Sequence, residues 1–143
     1  MVAKQLSVFI ENRQGRLGEV LSVLKENNVN ILSLSLADTT EYGLLRLIVN
    51  NPELGKQKLS KDGFSTMLTN VLVLSITHQA GSLQGLLEIL ADNDVNVEYM
   101  YGLSIDGEEA SVVLKTSDID KAELIFKQHN VKTLSTEDIS KLK

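Results

Sequence analysis

The sequence predicts an α+β protein made of two tandem copies of one small unit, each copy ordered strand, helix, strand, strand, helix, strand. Three observations carry this. Residues 11–31 (ENRQGRLGEVLSVLKENNVNI) align without gaps on residues 77–97 (THQAGSLQGLLEILADNDVNV), an offset of 66. Seven aligned positions are identical: Gly15/Gly81, Leu17/Leu83, Leu21/Leu87, Leu24/Leu90, Asn27/Asn93, Val29/Val95 and Asn30/Asn96. In both copies, apolar residues switch from the two-residue period of a strand to the i, i+3, i+4, i+7 period of a helix and back.

In the first copy Leu6, Val8 and Ile10 alternate along strand one, which ends near Glu11. Leu17, Val20, Leu21 and Leu24 then share one face of a helix that opens after Gly15 and stops at Asn27-Asn28. Residues 29–37 form the second strand, and residues 44–49 return against it as a hairpin after a polar loop closed by Gly43. Asn51-Pro52 reads as a cap followed by proline at the first helical position, giving a helix to about Lys61 that Asp62-Gly63 ends. Residues 64–68 are the fourth strand.

The second copy repeats the order: strand 71–76, helix 82–92, strand 95–105, a turn at Asp106-Gly107 that tolerates positive φ, and strand 110–114. Ser117 is expected to cap the next helix, residues 131–134 form a strand, and residues 136–142 add a helical turn. Only Thr69-Asn70 separates the copies, so the domains are set at 1–69 and 70–143, with their antiparallel sheets side by side. One mismatch stands out. Leu32 and Leu34 align with Glu98 and Met100, and Ser33 and Ser35 with Tyr99 and Tyr101. Either a bulge shifts the register in one copy, or the second copy carries apolar residues on the face away from its helices, and the latter is favoured.

Composition narrows the function classes. The 143 residues carry 14 basic and 19 acidic side chains, a net charge of −5, with no basic stripe to follow a phosphate backbone. Nucleic acid is not an expected partner. No apolar run approaches the roughly 20 residues of a membrane span, and the first residues show no secretory signal, so a cytoplasmic location is expected. The absence of cysteine removes thiol chemistry and thiolate metal sites. With two histidines and no G-x-S-x-G or G-x-x-x-x-G-K-[ST] motif, neither a nucleophile–base pair nor a nucleotide cradle can be assembled from recognised motifs. The expectation is a protein that is not an enzyme and that needs no metal or cofactor.

Two adjacent units of this kind, each with a loop of the form Asn12-Arg13-Gln14-Gly15-Arg16-Leu17 before its first helix, resemble the ACT domain family. The stretch NRQGRLGEVLSVLKENNVNI is similar to the family's Asp-Arg-Pro-Gly-Leu-Leu opening, first helix and Gly-Ile-Asn-Ile lead into strand two. The sequence departs from that pattern where Asn12 and Thr77-His78 replace the loop acid, and where Gln14 and Ala80 replace proline. The resemblance implies ferredoxin-like βαββαβ units and a regulatory module that binds a small ligand, most often an amino acid, with two such domains side by side.

The residues suggest how. A helix opened by a glycine turn presents unpaired N–H groups and the positive end of its dipole to a carboxylate, and glycine lets a ligand approach the main chain. The amides of Arg16 and Leu17, and of Ser82 and Leu83, are the candidate carboxylate holders, with Arg13 or Arg16 adding charge and His78 lying in the second loop. The loop of one copy is expected to face the start of strand two of the other, where Asn30, Leu32, Asn96, Glu98, Tyr99 and Tyr101 would read the ammonium and side chain. Each residue also has an ordinary reading: backbone geometry for Gly15 and Gly81, solvation for the arginines, packing or dimer contacts for the tyrosines. A homodimer and a regulated enzyme acting in trans are the expected partners. The rival reading is an oligomerisation or interaction module that binds no metabolite and regulates a partner enzyme.

Overall fold

A computed structural model describes residues 1–11, 13–38, 41–77, 80–103 and 109–141. The chain divides into two compact units, Lys4–Thr69 and Asn70–Lys143, and Met1–Ala3, placed by sequence in the first domain, group with the second unit.

The first unit contains strand β1 (Ala3–Glu11), helix α1 (Arg16–Glu26), strands β2 (Ile31–Asp38) and β3 (Tyr42–Val49), helix α2 (Pro52–Lys61) and the first part of strand β4 (Ser65–Thr77). Its strands lie in the order β2-β3-β1-β4. The β1–β3 ladder is antiparallel and pairs Leu6 with Leu47 and Val8 with Leu45, which sets these four leucine and valine side chains on one face. On that face they join Ile10, Val20, Leu24, Val29, Val49, Leu59 and Phe64 in a core closed by α1 and α2. Asn51 caps α2 by accepting from the Leu54 amide at 3.2 Å, ahead of Pro52. Gly55 permits α2 to sit close. A Cβ there would lie 3.0 Å from Leu6 Cδ2 and 3.4 Å from Leu24 Cδ2.

The second unit repeats the plan with the rest of β4, helix α3 (Ser82–Asp92), strands β5 (Val97–Leu103) and β6 (Glu109–Thr116), helix α4 (Ile119–Gln128) and the short strand β7 (Thr133–Leu134), followed by helix α5 (Thr136–Ser140). Strand β4 pairs with both β6 and β7, and β5 lies outside β6. Leu72, Leu74, Leu90, Val95, Val112, Leu114, Ala122, Ile125 and Phe126 form its core, with Val2 packed against it. The strands expected at 64–68 and 71–76 are one element, because residues 69 and 70 keep extended geometry through β4. The expected Asp106-Gly107 turn lies outside the described residues.

Two sequence expectations change. The cap of α4 is Asp118, which accepts from the Lys121 amide at 3.1 Å, because the Ser117 hydroxyl instead accepts from the Asn96 amide at 3.0 Å. The parity mismatch does not come from a bulge in one copy. Both copies carry one, between Ile31 and Ser33 in β2 and between Val97 and Tyr99 in β5. Leu34 opposes the core residue Leu47, and Met100 opposes the core residue Leu114, so these two face the helices. Tyr101 opposes Val113 on the other face, where the first copy has Ser35 opposite Arg46. The second copy therefore does carry apolar residues on the face away from its helices.

Candidate ligand site

Gly15 and Gly81 stand directly before α1 and α3 with φ of 89° and 86°, a left-handed conformation that strains any residue with a Cβ. Among the described residues nothing lies within 4 Å of a Cβ built on either one, and the backbone angle by itself favours glycine there. Neither helix has a side-chain cap. The contrast within the chain is sharp, since α2, α4 and α5 are capped by Asn51, Asp118 and Ser135. The glycines at these two N-cap positions thus offer the first-turn amides no side-chain acceptor of the kind that the N-cap residues of the other three helices supply.

The surroundings of the two turns differ. In the first, the Arg13 amide donates to the Glu11 carbonyl at 2.8 Å, and the Arg16 amide donates to the Arg13 carbonyl at 3.3 Å. The Arg16 amide, expected as a carboxylate donor, is thereby engaged within the loop, leaving Leu17 as the next donor. Arg13 is exposed and pairs with Glu11 at 3.1 Å, and Gln14 is exposed. Arg16 is not the solvated side chain of its ordinary reading. It is 17% exposed, bonds Glu19 at 2.5 Å and lays its guanidinium 4.2 Å from the Phe64 ring centroid, a cation–π contact. In the second turn Ala80 and Gly81 are exposed, Ser82 is half-buried, and Leu83 packs on the core. Asn12 and His78 lie outside the described residues.

The remaining predicted residues sit elsewhere in each unit. Glu11 pairs with Tyr42 at one end of the first ladder, whereas Ile31 pairs with Val49 at the other. Seven residues of strand separate these ends, roughly 20 Å. Asn30 and Leu32 therefore lie far from the Gly15 turn of their own unit. Asn96, Glu98 and Tyr99 lie equally far from Gly81, since Thr77 pairs with Glu109 and Val97 with Thr116. At that far end the Asn30 amide donates to Asn50 Oδ1 at 2.8 Å, Asn96 is held by Ser117, and Glu98 pairs with Lys115 at 3.0 Å. The contact of Glu98 engages a side chain that the sequence reading offered to a ligand, whereas those of Asn30 and Asn96 are made by the main chain.

Sequence reasoning missed the grooves beside the first helices. In the first unit a groove of about 850 Å³ runs along α1 past Gly15, Gly18 and Glu19 to Asp62 and Gly63. In the second, a groove of about 360 Å³ opens beside α3 between Ile76, Leu86 and Val131, with Ser82, Asn130 and Lys132 also lining it. Extending the repeat at an offset of 67 would have pointed to the latter, because Phe64 of the first copy is then matched by the smaller Val131.

A family model for an ACT domain pair matches residues 1–143. The chain belongs to the ACT domain pair family. This ACT domain pair is similar to protein BT0572 from Bacteroides thetaiotaomicron, whose crystal structure is 37% identical with a TM-score of 0.93, over 99% of this chain and 98% of that one. It shares its fold with the regulatory subunit of aspartate kinase from Thermus thermophilus, solved ligand-free, at 13% identity and a TM-score of 0.63, over 89% of this chain and 90% of that one. The corresponding subunit from Thermus flavus, also 13% identical, gives a TM-score of 0.60, over 87% of this chain and 88% of that one. No curated protein matches the chain.

Proposed function

We propose that this ACT domain pair is a regulatory protein that binds a free amino acid at its glycine turns and passes that state to a partner enzyme in trans. The observation that carries the reading is the pair of uncapped helix starts after Gly15 and Gly81. Five helices are described, and the two whose N-cap residue offers no side-chain acceptor are the two that follow a left-handed glycine. An α-carboxylate supplies the missing acceptor. The fold shared with regulatory subunits of aspartate kinase supports the regulatory part of the reading.

The dipole contributes only about 0.3–1 kcal/mol, against about −8 kcal/mol for micromolar affinity. Contacts to the ammonium and side chain must provide the rest. Gly15→Ala and Gly81→Ala, each titrated calorimetrically with the amino acid that binds the native protein, test the placement. At least one is expected to lose affinity about tenfold or more, and undiminished affinity in both would remove the ligand from these turns.

A second reading, assembly without a ligand, is favoured by one observation. Leu34 and Leu36, which share one face of the outer strand β2, are 48% and 45% exposed, an apolar edge suited to a second copy of the chain. In that case the mass in solution rises with protein concentration and no amino acid alters stability.

A further inference from the structure

The two repeats differ on the outward face of their second helices. Helices α2 and α4 are equivalent at an offset of 67: Asn51 and Asp118 cap them, and Gly55 and Leu59 of one, like Ala122 and Phe126 of the other, are buried. The outward positions diverge. Gln57 of α2 is exposed and polar, as a water-facing helix position ordinarily is, whereas its counterpart in α4 is Leu124, 55% exposed. Ser60 is matched by Lys127. Beside Leu124 lies a groove of about 800 Å³ that also exposes Met1, so the two apolar side chains form one patch instead of standing singly in water.

The charges around the leucine decide what fits this patch. Leu124 lies at the middle of α4, with Asp120 four residues before it and Lys127 three residues after it, which puts all three on one face. Asp120 and Lys127 are exposed, line the groove and form no ion pair among the described residues. The usual helical partner of Lys127 would be Glu123, four residues earlier, but that carboxylate bonds the Met1 amine. A two-fold axis through Leu124 sets a second α4 antiparallel to the first. It brings Asp120 of each copy opposite Lys127 of the other and leucine against leucine at the centre, the self-complementary pattern of an isologous contact. A partner carrying charge of one sign would instead meet repulsion, from Asp120 at one end of the patch or from Lys127 and Lys132 at the other.

We propose that α4 is a self-association surface, on which a second copy of this chain docks antiparallel with the two Leu124 side chains at the axis and reciprocal Asp120–Lys127 ion pairs on either side. A helix of this length offers a strip about 15 Å long and 10 Å across, well under the roughly 800 Å² per partner of a stable interface. The dimer therefore forms and parts with protein concentration. It does not depend on a bound amino acid, and it uses a different element from the exposed edge of β2.

The chain has no cysteine, so Leu124→Cys places a lone thiol at the axis. Under mild oxidation this variant is expected to form a disulfide-linked dimer at least about tenfold faster than Gln57→Cys, the equivalent outward position of the first repeat, because association holds the two thiols together. In sedimentation across a concentration series, Asp120→Lys is expected to lose the dimer, since cations then face each other, and Asp120→Lys combined with Lys127→Asp is expected to regain it with both pairs reversed. All of these side chains are exposed in the native fold, so the variants keep its core intact. Equal cross-linking of the two cysteine variants, or a charge-reversed chain that associates no better than Asp120→Lys, overturns the proposal. A dimer that survives Asp120→Lys and is lost in Leu36→Asp belongs to the β2 edge and overturns it too. A native chain that stays monomeric at every concentration does the same and leaves the groove to a molecule other than a second copy.

Discussion

Glycine does two different jobs in this chain, and the structure separates them. At Gly15 and Gly81 the space around a Cβ is open and the positive φ is what excludes other residues, whereas Gly55 lies in ordinary helix and is limited by Leu6 and Leu24. Gly55→Ala gains about 1 kcal/mol of helix propensity, but it drives a methyl into leucines that are fully buried, and overpacking of that kind costs about 1–3 kcal/mol. The variant is expected to be less stable by urea unfolding, on the order of 1 kcal/mol. A stabilised variant would show that the Leu6 side chain can yield. The Gly15/Gly81 pair was legible in the sequence because it repeats at the same offset as the leucines that follow. The role of Gly55 was not legible, since it depends on which strand residues α2 covers. Arg16 illustrates the same limit: its stacking on Phe64, 48 positions away, has no local signature.

At the scale of elements, the order of strands and helices was legible because each changes the hydrophobic period, and the limits of α1 and α3 follow from Gly15/Gly81 and Asn27/Asn93. What escaped was decided by partners distant in sequence. Ser117 and Asp118 are both good caps, and the Asn96 amide takes the first of them. The bulges at Leu32 and Glu98 are set by register against β3 and β6 rather than by the composition of β2 and β5. Helix α5 is short and depends on a reciprocal capping box between Ser135 and Asp138. Hydrogen bonds from Ser135, first from its amide and then from its hydroxyl, hold the Asp138 carboxyl below the ordinary value of 3.8, with Lys141 and Lys132 adding to the effect. A folded pKa lowered in this way gives stability that is present above pH 3.8 and is lost as pH falls through the folded value. Amide exchange in α5 is therefore expected to quicken, relative to unstructured amides, as pH drops below about 4. Asp138→Asn is expected to remove that dependence, and an unchanged pH profile in the variant would detach the effect from this box.

For the molecule as a whole, duplication explains both what is shared and what differs. Each copy keeps the glycine turn and a first helix whose N-cap residue has no side chain, the feature on which the proposed carboxylate site rests. The copies diverge at Arg16/Ser82 and Phe64/Val131, where one is closed by a stacked pair and the other is open. Among the described residues no helix is long and apolar enough to cross a membrane, and no group of three His, Cys, Asp or Glu is placed to hold a metal ion. The central claim is that the folded chain recognises a free amino acid, and thermal unfolding in the presence of each of the twenty at millimolar concentration tests it most directly. A ligand at 100 times its Kd stabilises the native state by about 2.7 kcal/mol. The account predicts a rise in Tm of several degrees with one amino acid or a few chemically related ones, and an unchanged Tm across all twenty would contradict it.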